Sequence, residues 1–431
     1  MKKICMLVTN SVLNDPRVRR EAATLAEAGY QVVVMGITGA GHREEEWIEG
    51  YRVIRVPQPH PLIDRLKKLA PVYRVAKRMY RKCIDRKAGS DSSNDARPED
   101  ASWNAEPRTG KSWRHDWREI ISIFFLNLAF AREGRTVKAD VYHVHNLDTL
   151  LAGVLVAKRT HAKLVYDFHE LYTEQFAVGQ RTWLWRIYYR TLERWLVTQP
   201  QALLTVCDSL GEWVARQYGV TKAMTVRNVP MLRLDSSLPK PIEREPVILY
   251  HGAFCAHRGL EQLVMSAKFL ERGRIVLRGL GDLEPTLRRL VREQQVGERV
   301  EFAPPLPVGE LIAAARQADI GVLPFPPACL NTRYCLPNKL FEYMMAGLAI
   351  VSTDLPEIRR VVMDHHVGLL VQSIEPKDLA CTLNGLLNDR VTLERMKRSA
   401  LQAAQVVYNW EHERARLLKL YESVVPEAEV A

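Results

Sequence analysis

Residues Lys3 to Met35, KICMLVTNSVLNDPRVRREAATLAEAGYQVVVM, decide the fold. Lys3 to Thr9 is a short apolar run of the kind that a buried strand needs. Asn14-Asp15-Pro16 then supplies a helix start, with a capping side chain before the first turn and a proline at its first position. The helix spans Arg17 to Ala28 and closes at Gly29, and Gln31 to Met35 is a second strand. This is one strand–helix–strand unit, and the chain repeats it. Strands are expected at Val141–Val144, Lys163–Tyr166 and Leu203–Val206, with a helix over Asp148–Thr160.

A proline- and serine-bearing stretch, Arg233 to Glu245, reads as a linker, and the rhythm restarts after it. Strands follow at Val247–Tyr250, Arg274–Leu277, Arg299–Phe302, Ile320–Pro324 and Ala349–Ser352. Helices separate them at Leu260–Leu270, Glu284–Gln294, Val308–Gln317 and Lys339–Ala346. Two alternating blocks imply an α/β protein of two doubly wound parallel-sheet domains facing a cleft. The expected domains are residues 1–235 and 236–408, with 409–431 as a closing helix.

At 431 residues with 47% hydrophobic and 26% charged residues, the composition is that of a soluble globular chain. Ile120–Phe130, the longest apolar run, falls short of the roughly 20 residues that a membrane span requires. The N-terminus has no small-residue cleavage site, so no secretory leader is expected. Seven scattered cysteines without Cys-x-x-Cys spacing suit a reducing, cytoplasmic compartment. The net charge of +11 is concentrated: ten Lys or Arg and two acidic residues lie between Asp64 and Lys87. There Val72, Tyr73, Ala76, Met79, Tyr80, Cys83 and Ile84 recur at helical spacing opposite a basic face, an amphipathic helix over 72–87 that suits an anionic membrane surface as well as it suits its own domain. Ala88 to Lys111 is polar and loop-like. The basic cluster has no nucleic-acid recognition motif, so nucleic acid is not an expected partner.

The chemistry concentrates at strand ends. Leu336-Pro337-Asn338-Lys339-Leu340-Phe341-Glu342 opens a helix whose free N–H groups and Lys339 suit an anion, with Asn338 as its expected cap. Glu342 lies one turn on, where a carboxylate suits sugar hydroxyls better than phosphate. Gly252 and Arg258 sit in a glycine-bracketed loop after a strand, and Gly279-Leu280-Gly281 in another. In the first block His143, His145, His169 and Glu170 cluster at strand ends. His143 and His145 share a strand face, but the usual zinc spacings are absent, so no metal is expected. Trp183, Trp185, Tyr188, Tyr189 and Trp195 follow helical spacing and read as core.

These residues resemble the GT-B glycosyltransferases of family 4. The resemblance rests on Asp15 to Glu21, His145 to Leu150, Asp167 to Tyr172, Gly252 to Gly259 and Leu336 to Gly347, in the family's order, and covers the chain outside roughly residues 60–130. It implies a retaining, metal-independent transferase with no cofactor, using a nucleotide-sugar donor linked to UDP or GDP. The acceptor would be a glycan, a lipid-linked molecule or a small molecule in cell-surface glycoconjugate synthesis. Its place would be cytoplasmic, or peripheral on the inner membrane face. It also implies residue roles. His169 and Glu170 are catalytic, His169 by binding the donor sugar and stabilising its developing positive charge. Gly252, Arg258, Gly279, Gly281, Asn338, Lys339, Glu342 and Tyr334 bind the donor. Asp15, Arg17, His145 and Asp148 lie on the acceptor side, and Trp410 to Val424 is the helix that crosses back. Tyr334 stands where the family often has its first glutamate, eight residues before Glu342, and Gly252-Ala253 replaces a Gly-Arg. Within the same fold, an epimerase or hydrolase and a nucleotide-binding scaffold without turnover share these features, and a requirement for an acceptor separates them.

Overall fold

The computed structural model describes residues 1–13, 15–39, 43–57, 113–175, 181–233 and 244–425. The expected helix over 72–87 and the loop 88–111 lie outside the described residues. Two sheets organise the chain. The first has strand order β3-β4-β2-β1-β5-β6-β7-β8, with β1 Lys3–Leu7, β2 Gln31–Ile37, β3 Glu45–Ile48, β4 Tyr51–Val56, β5 Val141–His145, β6 Lys163–Phe168, β7 Ala202–Thr205 and β8 Met224–Thr225. All of its pairings are parallel except the edge pair β3–β4. The second has order β11-β10-β9-β12-β13-β14 and is wholly parallel. Its strands are β9 Val247–His251, β10 Arg274–Arg278, β11 Val300–Ala303, β12 Ile320–Leu323, β13 Ala349–Thr353 and β14 Gly368–Val371.

Both sheets therefore reverse direction once, between β1 and β5 and between β9 and β12. In a doubly wound sheet the loops beyond the strand ends part at that point and leave a crevice. The expectation of two doubly wound domains is met. The hairpin β3–β4 and everything from the helix Pro356–Asp364 to the helix Arg390–Val406 were not anticipated, because they follow no strand–loop signal as clear as the earlier ones.

Local chemistry explains the first unit. Asp15 caps the helix Pro16–Glu27 by accepting the Val18 N–H, and it also accepts from Asn10 Nδ2 at 2.8 Å. The apolar run 120–130 lies in the helix Trp113–Val137, with Ile120, Leu126 and Phe130 buried against the domain and Phe124 and Leu128 exposed. Asn127, the break in that run, donates to the Asp148 carbonyl and accepts from Ala152 N, so it clamps the neighbouring helix Leu147–Thr160. Asp116 ties the same helix to Arg181 at 2.9 Å. In the helix Trp183–Leu196, Trp185 and Tyr189 are core as expected, but Trp195 is exposed.

The final helix, Trp410–Val424, leaves the second domain and packs on the first. Trp410 is 1% exposed and donates its indole N–H to Thr24 Oγ1 at 2.9 Å, while its backbone N–H bonds the Pro230 carbonyl. Glu413 accepts from the Arg227 backbone. Removing the indole leaves a large cavity where the chain returns. Trp410→Ala is expected to destabilise the N-terminal domain by about 3–5 kcal/mol, read as an earlier transition in urea unfolding.

Candidate active site in the cleft between the two sheets

On the N-terminal side, strand alternation assembles a buried polar cluster. His143 and His145 are two residues apart on β5, and register places His145 beside Asp167 on β6, so all three share one face. The helix Pro16–Glu27 covers that face with Arg17 and Glu21, one turn apart. Arg17 grips Asp167 with two bonds, Nε to Oδ2 at 2.7 Å and Nη2 to Oδ1 at 2.8 Å, and its Nη1 donates to the Val226 carbonyl. Arg17 is 1% exposed and Asp167 fully buried. Burial alone would raise the Asp167 carboxyl, but Arg17 and the neighbouring His169 hold it well below the usual carboxylate range.

Asp167 Oδ2 also lies 3.0 Å from His169 Nε2, just past the end of β6. Burial disfavours a charged imidazole, yet Asp167 outweighs it and raises His169 above the ordinary histidine value. Burial pushes His145 and His143 down. Glu21, His143, His145 and Asp167 carry ligand-type atoms within 4.8 Å of one another, but the Arg17 guanidinium occupies Asp167 and lies 3.1 Å from Glu21 Oε1. A fixed cation in the middle of the cluster opposes a metal ion there.

The C-terminal side is arranged differently. Gly252 has φ +128° and Gly279 φ +151°, and a Cβ on Gly279 would fall 2.0 Å from the Gly252 carbonyl oxygen. The two loops interlock at a distance that only glycine permits. Gly281 is packed in the same way against the Phe254 backbone and does not line the cleft. Lys339 lies over Gly252, its Nζ 4.0 Å from the centre of the Tyr250 ring, and Arg258 and Lys339 both face Phe325. Neither cation is ion-paired among the described residues. Burial, with Arg258 close by, pushes the Lys339 ammonium down to about 7. Pro337, not Asn338, is the cap of the helix Asn338–Ala346, and Asn338 is its first residue. Glu342 does not pair with Lys339; it accepts from His251 Nε2 at 2.8 Å. Burial would raise this carboxylate, but the His251 hydrogen bond holds it below its ordinary value.

A cavity of about 830 Å³ separates the two sides. It brings together Arg17, His169, Glu170, Gly252, Arg258, Gly279, Tyr334, Asn338, Lys339 and Glu342 among the expected site residues. Asp15, His145, Asp148 and Gly281 are not in its wall. Asp148, raised to about 6 by burial, receives the Thr9 hydroxyl. Three residues that sequence reasoning passed over complete the site. Asn331 bridges the domains, accepting from Leu171 N at 2.9 Å and donating to Glu170 at 3.3 Å. His251 orients Glu342, and Asp167 orients His169. The last was within reach, since Asp167 and His169 lie two residues apart at the end of β6; nothing local marked Asn331.

The chain matches two family profiles, "Glycosyl transferases group 1" over residues 245–389 and "Glycosyltransferase Family 4" over residues 90–228. A D-inositol 3-phosphate glycosyltransferase of Nocardia farcinica is 28% identical over 42% of this chain and 41% of its own length. A phosphatidyl-myo-inositol mannosyltransferase of Mycobacterium leprae is 23% identical over 66% of this chain and 74% of its own. Among solved structures, sucrose-phosphate synthase from Thermosynechococcus elongatus superposes with a TM-score of 0.72 at 18% identity, covering 98% of this chain and 99% of that one. Anabaena HepE in complex with UDP-glucose gives 0.66 at 13% identity, covering 98% and 100%.

Replacing Asp167 with asparagine leaves Arg17 buried without its counter-charge. Asp167→Asn is expected to cost about 3–5 kcal/mol in urea unfolding. The paired stability is present above the unfolded aspartate value near 4 and is lost as pH falls below it, so the gap between wild type and Asp167→Asn should narrow in acid.

Proposed function

We propose that this chain, a member of the GT-B glycosyltransferases of family 4, moves a sugar from a UDP-linked donor to a glycan or lipid-linked acceptor with retention and without a metal. The observation that carries this reading is the pair of cations, Arg258 and Lys339, that form no ion pair among the described residues, beside the first turn of the helix Asn338–Ala346 and across the cleft from His169 and Glu170. As the sugar–phosphate bond breaks, its electron pair passes to the diphosphate, whose growing charge meets both cations and the free N–H groups of that turn. His251 holds Glu342 ionised for the ribose hydroxyls. With Nε2 committed to Asp167, His169 keeps Nδ1 as its polar atom for the sugar.

UDP is favoured over GDP because the fold relative HepE is solved with UDP-glucose bound. A membrane-borne acceptor is favoured by Phe124, Leu128, Ile187 and Trp195, apolar side chains exposed on two helices that pack together. Thermal stabilisation by UDP, GDP, dTDP and ADP sugars, with and without EDTA, tests the donor and the metal independence together. Selective stabilisation by a UDP sugar, unchanged by EDTA, supports the reading, and silence from all four overturns it. For the acceptor surface, Phe124→Glu/Leu128→Glu is expected to abolish sedimentation with anionic liposomes.

Lys339 provides a signed pH test. Its ammonium titrates near 7 in the free site, and a diphosphate restores its charge, so binding above pH 7 takes up a proton. UDP affinity is expected to fall by about tenfold per pH unit between roughly pH 7.5 and 9 in wild type, and to lose that dependence in Lys339→Met. Calorimetry in two buffers of different ionisation enthalpy reads the proton directly.

A further inference from the structure

His145 is 1% exposed and absent from the cleft wall, yet its Nδ1 lies 3.0 Å from His169 Nε2 and 3.3 Å from Asp167 Oδ2. Behind it, the His143 ring stacks on His145 with centroids 4.4 Å apart and planes inclined by 26°. His143 Nδ1 in turn meets the hydroxyl of Tyr421 at 2.9 Å. Tyr421 belongs to the closing helix Trp410–Val424 and is fully buried. Four rings thus stand in file from the C-terminal helix to the cleft.

The protons can be placed. Burial keeps the Tyr421 phenol protonated, so it donates to His143 Nδ1, and the His143 proton sits on Nε2, which faces Glu21 Oε2 at 3.8 Å. Asp167, charged against Arg17, draws the Nε2–H of His169. Burial keeps His145 neutral, and its Nδ1–H donates to the same Asp167 oxygen from 3.3 Å, beside His169 Nε2 at 3.0 Å. One carboxylate oxygen shared by two neighbouring imidazole N–H groups, with the rings 3.0 Å apart at their nearest nitrogens, fixes both the tautomer and the plane of the His169 ring.

We propose that His145 is a positioning residue for His169, held in place by His143 and by Tyr421, so that the closing helix is part of the apparatus that orients the histidine in the cleft. The functional weight of this device rests on the reading of His169 as the group that faces the donor sugar. Besides His145, His169 is faced by Asp167 at the end of β6, by Asp15, Arg17 and Glu21 from the cap and body of the first helix, by His143 from β5, and by Asp148 and Glu170 nearby. The test leaves all of these in place except His145 or the Tyr421 hydroxyl.

The experiment uses the full chain and needs no acceptor. Side-chain ¹⁵N NMR follows the tautomer and titration of His169 in wild type, Tyr421→Phe, His145→Leu and His145→Asn, alongside the affinity for UDP. In His145→Leu, Asp167 keeps His169 as its one imidazole donor, so the His169 midpoint should rise by about half a pH unit or more, and Tyr421→Phe, which releases His143 from behind His145, should move it in the same direction. His145→Asn, whose amide can occupy the Nδ1 position, should restore the wild-type signal. UDP affinity should stay within about twofold throughout, since the diphosphate cations lie on the other domain. Unchanged His169 signals in Tyr421→Phe overturn the proposal; that variant removes one oxygen and keeps the ring packed, so it decides even where His145→Leu does not fold. If the signals shift as expected while His169→Ala leaves UDP-sugar turnover intact, the positioning stands and the functional reading of His169 fails.

Discussion

The buried ion pair between Arg17 and Asp167 is the constraint on which the N-terminal half of the site depends. Taking both charges out of water is expensive, and a single contact would not offset it. Here the offset comes from a two-point grip, a third bond to the Val226 carbonyl and Glu21 alongside. Because Arg17 sits in the first turn of its helix and Asp167 on β6, the pair locks the first strand–helix unit to the far side of the switch point. Asp167 is then committed as an anion, and this commitment orients His169 and sets its proton affinity.

The two walls of the cleft are built on opposite principles. The N-terminal wall is a buried polar cluster held around the Arg17–Asp167 pair, and it presents one histidine and one glutamate. The C-terminal wall leaves its charges open: Lys339 and Arg258 rest on aromatic rings, and neither is ion-paired among the described residues. A buried ammonium held this way is costly in the empty site, and its depressed proton affinity is the measure of that cost. An anion relieves it. Rigidity on one side and unsatisfied charge on the other is the arrangement expected where a leaving group must be received and a sugar held still.

Much of this was legible residue by residue. The strand–helix rhythm, the cap at Asp15, the glycine loops and the helix opening at Pro337 are all written in short-range chemistry, and each appears close to its expected place. His169, Glu170, Arg258, Lys339 and Glu342 could be selected because strand ends in a doubly wound sheet converge, so their position along the chain implies their position in space. Partners were not legible in this way. Helical spacing puts Glu342 one turn from Lys339, but it pairs with His251 across the sheet. The apolar run 120–130 was read by its composition, while its orientation was set by Asn127 and Asp116 reaching other helices.

By itself the sequence determined the class of fold, the two blocks and the set of groups at the cleft, because strand and helix periodicity and terminal capping act over a few residues. Only the tertiary structure decided which charges are neutralised and which remain open. Arg17 and Asp167 are 150 positions apart, and Tyr421 and His143 are 278 apart. No local pattern encodes such pairings; they exist once packing excludes water and each buried polar atom must find its partner inside. That selection makes Arg17 a fixed structural cation and leaves Lys339, equally basic in the sequence, free to receive an anion.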